Sequence, residues 1–116
     1  HNIDGITRLH DFIKTIKNDF EKIILVLAIS SNKETKKMIN EIEQDVDKII
    51  FTSFSYKRSE DYNILYEYSN HPLKEKCEDV LELVNRSLAN KDCNNIWIFC
   101  GSLYFVSEIR KIFKLY

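Results

Sequence analysis

A glycine and a serine mark the junction in this chain whose residue types best suit ligand chemistry. A short apolar run, Ile96 to Cys100, stops at Gly101, and Ser102 opens a segment with the apolar spacing of a helix. Gly101 lets a ligand approach the backbone, and Ser102 adds a hydroxyl beside the free N–H groups of a helix N-terminus, where anions are favoured. The pattern predicts a strand, a tight turn and a helix, with a candidate anion site at the turn. The alternative is a plain strand-to-helix turn in which Ser102 only caps the helix.

Motifs of the common self-sufficient catalytic sites are absent from the sequence. It contains no Gly-x-x-x-x-Gly-Lys-Ser/Thr or Gly-x-Gly-x-x-Gly segment to cradle phosphates, and no zinc-ligand spacing. Ser102 lacks the Gly-x-Ser-x-Gly flanks of a hydrolase nucleophile. Ser30 and Thr52 stand where a receiver-type module needs an aspartate. We therefore expect no catalysis by this domain alone.

The elements that must position the turn alternate between helix and strand. Predicted helices run from Ile6 to Phe20 (with Asn2 or Asp4 as cap), Glu34 to Glu43, Ser59 to Tyr68, Lys74 to Ala89 and onward from Ser102. Predicted strands run from Lys22 to Ser30, Ile49 to Thr52 and Ile96 to Cys100, the first and last reading as buried. Helical crossovers indicate parallel strands with helices on both faces. The predicted fold class is α/β, a three-layer α/β/α Rossmann-like domain with a mostly parallel sheet.

Polar side chains follow each predicted strand. They are Ser30 to Lys33, Thr52 and Ser53, and Gly101 with Ser102. In open α/β sheets, ligands bind outside the carboxyl ends of the strands. The sequence therefore predicts a site at this edge of the sheet.

Composition bounds the class of protein. A chain of 116 residues with net charge −1 fits one domain and gives no bulk charge to hold nucleic acid. No apolar run approaches the roughly 20 residues of a membrane span. The three cysteines are odd in number and lack paired spacing, which predicts reduced structural thiols and an intracellular setting.

Aromatic and histidine side chains outside the turn favour structural interpretations. Four tyrosines are predicted to pack a loop against the core, with stacking on a pterin or adenine as the alternative. They are Tyr56, Tyr62, Tyr66 and Tyr68. Trp97 is predicted to lie in the core. His10, on the outer face of the first helix, and His71 are predicted to lack partners.

Two separated motifs resemble one enzyme family. Residues 101–110 read Gly-Ser-Leu-Tyr-Phe-Val-Ser-Glu-Ile-Arg. They resemble the Gly-Ser-Leu-Tyr-hydrophobic-Val-Gly-Glu-hydrophobic-Arg signature of folylpolyglutamate synthases and dihydrofolate synthases, with Ser107 in place of the second glycine. Residues 1–5, His-Asn-Ile-Asp-Gly, resemble the second half of the family's Asp-Gly-Ala-His-Asn-Pro motif, with Ile3 in place of the proline. The resemblance spans the chain but only the carboxyl-terminal domain of the family, of the type found in Mur ligases.

This resemblance implies an ATP-dependent amide-forming ligase. In that family, ATP phosphorylates a carboxylate of folate or dihydropteroate, and the amine of glutamate attacks the acyl phosphate. ATP and Mg²⁺ would be held mainly by an N-terminal P-loop domain preceding this chain, so the isolated domain is expected to be inactive. The implied partners are ATP, glutamate, the folate or dihydropteroate substrate and that N-terminal domain, without nucleic acid or membrane. We expect a cytoplasmic monomer, with a mitochondrial copy left open. A free-standing Rossmann-like binding or interaction module without its own catalysis is the alternative.

The resemblance also assigns site residues. It implies that His1 and Ser102 are catalytic residues beside the glutamate. Asn2, Lys33 and Arg58 are implied to bind substrate, either glutamate or nucleotide. No metal ligand is implied in this chain.

Overall fold

The fold follows from a computed structural model that describes residues 3–30, 34–55, 59–90 and 94–115, with side chains from residue 5 onward. In chain order, the described elements are α1 (Ile3–Ile16), β1 (Lys22–Ala28), α2 (Thr35–Ile42), β2 (Lys48–Phe51), α3 (Tyr62–Tyr68), β3 (Lys74–Lys76), α4 (Val80–Ala89), β4 (Asn95–Gly101) and α5 (Leu103–Phe113). Single 3-10 turns extend α1 and α2. None of the described helices has the length and apolar character needed to cross a bilayer.

The strands of the described chain form one parallel sheet in the order β3-β2-β1-β4. Lys22 pairs with Asn95 where β1 and β4 begin, and Ala28 pairs with Gly101 where they end. The chain winds outward from β1 to β3 and then returns to place β4 on the other side of β1. That reversal makes the space beyond the carboxyl ends of β1 and β4 the topological switch point of the sheet, where open α/β folds bind ligands.

Helices cover both faces of the sheet, as the three-layer prediction requires. Helices α1, α2 and α3 pack on one face through residues such as Ile13, Ile39 and Leu65. Helices α4 and α5 pack on the other face through residues such as Leu83 and Phe105. The central strand β1 is buried on both faces after its first residue, which explains its unbroken apolar sequence. The radius of gyration is 13.3 Å, close to the roughly 13 Å expected for a compact domain of this length, so the chain carries its own core.

The predicted helix from Lys74 to Ala89 is wrong at its start. Its first three residues form the short edge strand β3, and the Cys77 N–H continues the pairing by donating to the Phe51 carbonyl at 2.9 Å. Helix α4 begins six residues later, capped by the Asp79 carboxylate. The apolar spacing of the predicted helix places Leu81 on its inward stripe, but Leu81 is 45% exposed. The Lys-Glu-Lys sequence of β3 has no apolar pattern that could predict a strand. These residues form a strand because they pair with β2.

The first helix also differs from its prediction. Helix α1 ends at Ile16 instead of Phe20, and Asp4 lies inside it and so is not its cap. Asn2, the other cap candidate, lies outside the described residues.

Strand β4 is half-buried along its length, although its apolar run predicted a buried strand. It is an edge strand that pairs only with β1 among the described strands. Trp97, expected in the core, is likewise half-buried.

The tyrosines behave as predicted within the described chain. Tyr62, Tyr66 and Tyr68 pack against the core beneath α3. The Lys74 ammonium lies 4.2 Å from the centre of the Tyr66 ring, a cation–π contact that fixes the ring further. Tyr56 lies outside the described residues.

Two histidines that were expected to lack partners are bonded. His10 is only 6% exposed, and its ring contacts the Asp45 carboxylate and lies 3.4 Å from a Glu41 oxygen. His71 Nε2 lies 2.7 Å from the Val46 carbonyl. His10 therefore fastens α1 to the end of α2, and His71 fastens the segment before β3 to the segment before β2. The missing partners are 25 to 35 residues away in sequence, so spacing could not reveal them.

Candidate functional site

The site begins where β1 and β4 end side by side. The Ser102 N–H donates to the Ala28 carbonyl at 3.1 Å, which closes the pairing of the two strands. Gly101 has φ of +138°, and a Cβ placed on it would lie 2.0 Å from the Ala28 oxygen. Only glycine fits here, because any side chain would force the strand ends apart. The close neighbour that requires glycine at position 101 is therefore the backbone of β1. This close approach shapes the edge of the sheet that a ligand would meet.

Ser102 is the cap of α5, as the structural alternative predicted. Its side-chain oxygen accepts the Tyr104 N–H at 3.3 Å, and the residue is 2% exposed. Within the described residues this is the one partner of the Ser102 hydroxyl, so its O–H has no described acceptor. Capping therefore uses only the acceptor capacity of this buried hydroxyl.

The N-terminus of α5 favours a negative charge beside Ser102. The helix has no acidic residue in its first turn and carries Arg110 and Lys111 in its last turn, in line with its dipole. The side chains of Leu103 and Tyr104 are 80% and 54% exposed at the same end. This end of the fold can hold a carboxylate or phosphate against backbone N–H groups, with exposed apolar surface next to it.

The end of β2 joins the same edge. The Thr52 N–H donates to the Leu27 carbonyl at 3.0 Å, while the wholly buried Thr52 hydroxyl has no hydrogen-bond partner among the described residues. Three residues on, Ser55 donates to the Glu108 carboxylate from its N–H at 2.9 Å and from its hydroxyl at 3.3 Å. The helical spacing of α5 predicts an outward position for Glu108, and its bonds to Ser55 lie at the exposed surface. It ties the segment after β2 to α5, a role that the outward position in the helical pattern could not reveal.

An aromatic contact in the core also joins the segment after β2 to α5. The rings of Phe54 and Phe105 lie 6.3 Å apart in a tilted arrangement, and both residues are buried. Phe105 is wholly buried, whereas the helical spacing predicts Val106, Ile109 and Phe113 as the inward residues of α5. The ends of β2 and β4 are thus held together by apolar packing as well as by Glu108.

Burial disfavours the reactive thiolate form of the cysteine next to the turn. Burial raises the pKa of the Cys100 thiol to about 12, so it stays protonated near neutral pH. Cys77 and Cys100 are both free thiols, as predicted, and Cys93 lies outside the described residues. Across the described segments, no group of three or more His, Cys, Asp or Glu side chains is placed to hold a metal ion.

One of the five predicted site residues lies within the described chain. Ser102 stands at the switch point, whereas His1, Asn2, Lys33 and Arg58 lie outside the described residues.

Two described residues lie close in sequence to the undescribed segments that carry Lys33 and Arg58. Ser30 precedes the first segment and Ser59 follows the second, and these two serines are joined by an antiparallel bridge. The described chain therefore brings the flanks of both segments together at the carboxyl edge of the sheet.

Comparisons with known proteins point to one enzyme. The chain is 33% identical over 119 aligned positions to the dihydrofolate synthase/folylpolyglutamate synthase of Bacillus subtilis, covering 98% of the chain and 26% of that protein. No protein-family profile matches the sequence.

Solved structures share the fold. The FolC protein of E. coli in complex with ADP superposes with a TM-score of 0.84 at 15% identity, over 99% of the chain and 27% of that protein. The bifunctional folylpolyglutamate synthase/dihydrofolate synthase of Yersinia pestis, solved with AMPPNP and a Mn ion, gives 0.83 at 18% identity, over 98% of the chain and 27% of that protein. The chain thus spans about a quarter of the length of the proteins that it matches, and the match lies in their carboxyl-terminal part.

Proposed function

The chain is homologous over nearly its whole length to the carboxyl-terminal part of dihydrofolate synthase/folylpolyglutamate synthase, and we propose that it is the carboxyl-terminal domain of such a ligase. In this proposal a larger N-terminal domain precedes it. The complete enzyme joins glutamate to folate or dihydropteroate through an acyl phosphate formed from ATP. The isolated chain is inactive.

The single observation that carries the proposal is the placement of Ser102. Its hydroxyl stands at the N-terminus of α5 and at the switch point between β1 and β4. Attack of an amine on an acyl phosphate requires the amine to be oriented and the anionic groups around it to be stabilised. The Ser102 hydroxyl and the N–H groups of the α5 N-terminus would stabilise the carboxylate of glutamate. Holding that carboxylate would also orient the glutamate amine.

The remaining site residues enter the proposal through the family motifs. His1 would donate a hydrogen bond to a carboxylate or phosphoryl oxygen beside Ser102. Asn2, Lys33 and Arg58 would contact glutamate or nucleotide. The Ser30–Ser59 bridge supports a common location for Lys33 and Arg58, because it joins described residues that flank the two segments carrying them.

Nucleotide and divalent cation belong to the complete enzyme in this proposal. Solved relatives contain ADP in the E. coli protein, and AMPPNP with a Mn ion in the Yersinia pestis protein. We assign ATP and Mg²⁺ to the N-terminal domain, which the family resemblance implies to carry the P-loop. The chain described here closes the opposite wall of the cleft with its strand ends.

Exchange of Ser102 for glycine in the complete ligase tests the proposal. Glycine is nearly as good a helix cap as serine, costing only a few tenths of a kcal/mol, so the fold is kept while the hydroxyl is lost. Loss of one hydrogen bond to a charged ligand corresponds to about a tenfold to hundredfold fall in kcat/KM for glutamate. Asp79→Gly makes the same kind of exchange at the cap of α4 and should leave kcat/KM unchanged. Unchanged kinetics in Ser102→Gly would remove Ser102 from the site.

The intact mass and upstream peptide sequence of the native polypeptide test the proposed domain arrangement. We expect a chain about four times as long, with Asp-Gly-Ala directly before His1 and a P-loop further upstream. A native polypeptide that starts at His1 would instead support the free-standing binding module.

A further inference from the structure

A second pocket lies at the opposite edge of the sheet, where the strands begin. It has a volume of about 350 Å³ and is bordered by the first residues of three strands, Lys22, Lys48 and Asn95. Along β1, Lys22 and Ala28 are the two ends of a seven-residue strand, a separation of about 20 Å. This pocket is therefore distinct from the candidate site at the carboxyl edge.

Among the described residues, the charged groups in and beside the pocket sum to a net positive charge. Lys22, Lys48 and Arg86 line it, and Asp47 is the acidic residue among its lining residues. The Asp47 carboxylate accepts a backbone N–H of β1 at 2.7 Å. Glu75, beside the pocket, is shared by Lys48 at 2.7 Å and Arg86 at 2.6 Å. The three cations Lys22, Lys48 and Arg86 thus outnumber the two carboxylates of Asp47 and Glu75. The net positive charge attracts an anion into the pocket.

One wall of the same pocket is apolar and aromatic. The Trp97 ring lines it with the Arg86 guanidinium 5.7 Å from the ring centre, and Leu73 lines it while 60% exposed. The buried Trp97 Nε1–H has no acceptor among the described residues. Buried indole N–H groups usually find a partner, and an exposed leucine in a pocket wall gains from being covered. Neither feature serves the stability of the chain as it stands.

We propose that this pocket binds a small organic anion, a flat apolar or aromatic group that carries a carboxylate or a phosphate. The anion lies between Lys22 and Arg86, and the apolar group covers Leu73 and the edge of Trp97. A volume near the lower end of the roughly 300–1,000 Å³ range of ligand pockets suits a single substituted ring. The proposal is independent of the ligase assignment, because it uses a different edge of the sheet.

The single tryptophan of the chain makes the test specific. The indole N–H of Trp97 gives one resonance in a nitrogen-correlated NMR spectrum of the labelled chain. Phenyl phosphate and benzoate serve as probes that separate a phosphate preference from a carboxylate preference, and benzyl alcohol serves as the uncharged analogue. We expect a saturable shift of the Trp97 indole and Asn95 amide signals with at least one anion, and weaker binding of benzyl alcohol.

Charge variants decide the role of the cations. Lys22→Gln removes an exposed pocket cation and should raise the Kd of the anion about threefold to fivefold. Lys14→Gln, at an exposed position of α1 on the other face of the sheet, is the matched control and should leave the Kd unchanged. Three results would overturn the proposal: no saturable shift with either anion, shifts confined to the Gly101–Ser102 edge, or equal affinities of the Lys22→Gln and unmodified chains.

Discussion

Replacement of Gly101 by alanine should be the most damaging single-methyl change in the described fold. The Cβ of alanine would lie 2.0 Å from the Ala28 oxygen and 2.8 Å from its carbonyl carbon. Both are backbone atoms, so no side-chain rotation can relieve the overlap. The end of β4 must move away from β1, and the Ser102 N–H to Ala28 hydrogen bond of 3.1 Å must break or lengthen.

The cost has two main parts. A non-glycine residue held at φ of +138° carries strain of about 1–3 kcal/mol. Loss of the backbone hydrogen bond adds about 1 kcal/mol. The expected fall in the free energy of unfolding is therefore about 3 kcal/mol, which corresponds to a lowering of Tm by roughly 10–15 °C for a domain of this size.

Urea denaturation followed by circular dichroism measures this difference, and the other glycine of the chain supplies the control. Gly5 lies in α1 and is exposed, so Gly5→Ala should raise the free energy of unfolding by up to about 1 kcal/mol. A loss below about 1 kcal/mol in Gly101→Ala would refute the close approach of β4 to β1 and, with it, the geometry on which the candidate site rests.

Other contacts give further expected outcomes. Arg86 holds the pKa of the Glu75 carboxyl below its usual range, so Glu75→Gln should cost about 1 kcal/mol at neutral pH. That difference should be complete above about pH 4.3 and disappear as the pH falls through the lowered pKa; equal urea midpoints at neutral pH would contradict it. His10→Gln should lower the free energy of unfolding by about 1 kcal/mol, because Asp45 loses one of its two partners and keeps Lys17 at 3.2 Å; an unchanged urea midpoint would show that the His10 contact is not stabilising. Since burial raises the pKa of the Cys100 thiol to about 12, it should react with a disulfide reagent near neutral pH only after unfolding; mass spectrometry that finds it labelled in the folded chain would disprove this.

The parts of the fold that a local pattern can encode were predictable from the sequence. The apolar run of β1 predicted a strand buried on both faces, which the structure confirms. The predicted strand, turn and helix around Gly101 and Ser102 are also confirmed, including Ser102 as the helix cap. Alternation of helix and strand was enough to predict the three-layer class, since parallel strands require crossovers.

What the sequence could not supply is the set of contacts made at long range. Strand β3 has no apolar pattern, so only pairing with β2 identifies it. The partners of His10 and Glu108 lie 35 and 53 residues away in the sequence, so the helical pattern could not reveal either contact. Burial of β4 was overestimated because an apolar run does not tell a central strand from an edge strand.

The position of Ser102 in the fold was predictable from the sequence, whereas the reason for the glycine before it was not. The end of the predicted last strand placed Ser102 at the carboxyl edge of the sheet, where open α/β folds bind ligands, and Ser102 lies at that edge. The demand for glycine at position 101 comes from the backbone of β1 rather than from a ligand, which the sequence alone could not distinguish.

The most direct test of the account is transfer of labelled glutamate by the purified native polypeptide that contains this chain. With folate or dihydropteroate as acceptor, we expect incorporation of label that depends on ATP and releases ADP and phosphate. Absence of incorporation with both acceptors, in a complete and folded polypeptide, would contradict the assignment of this chain to a glutamate ligase.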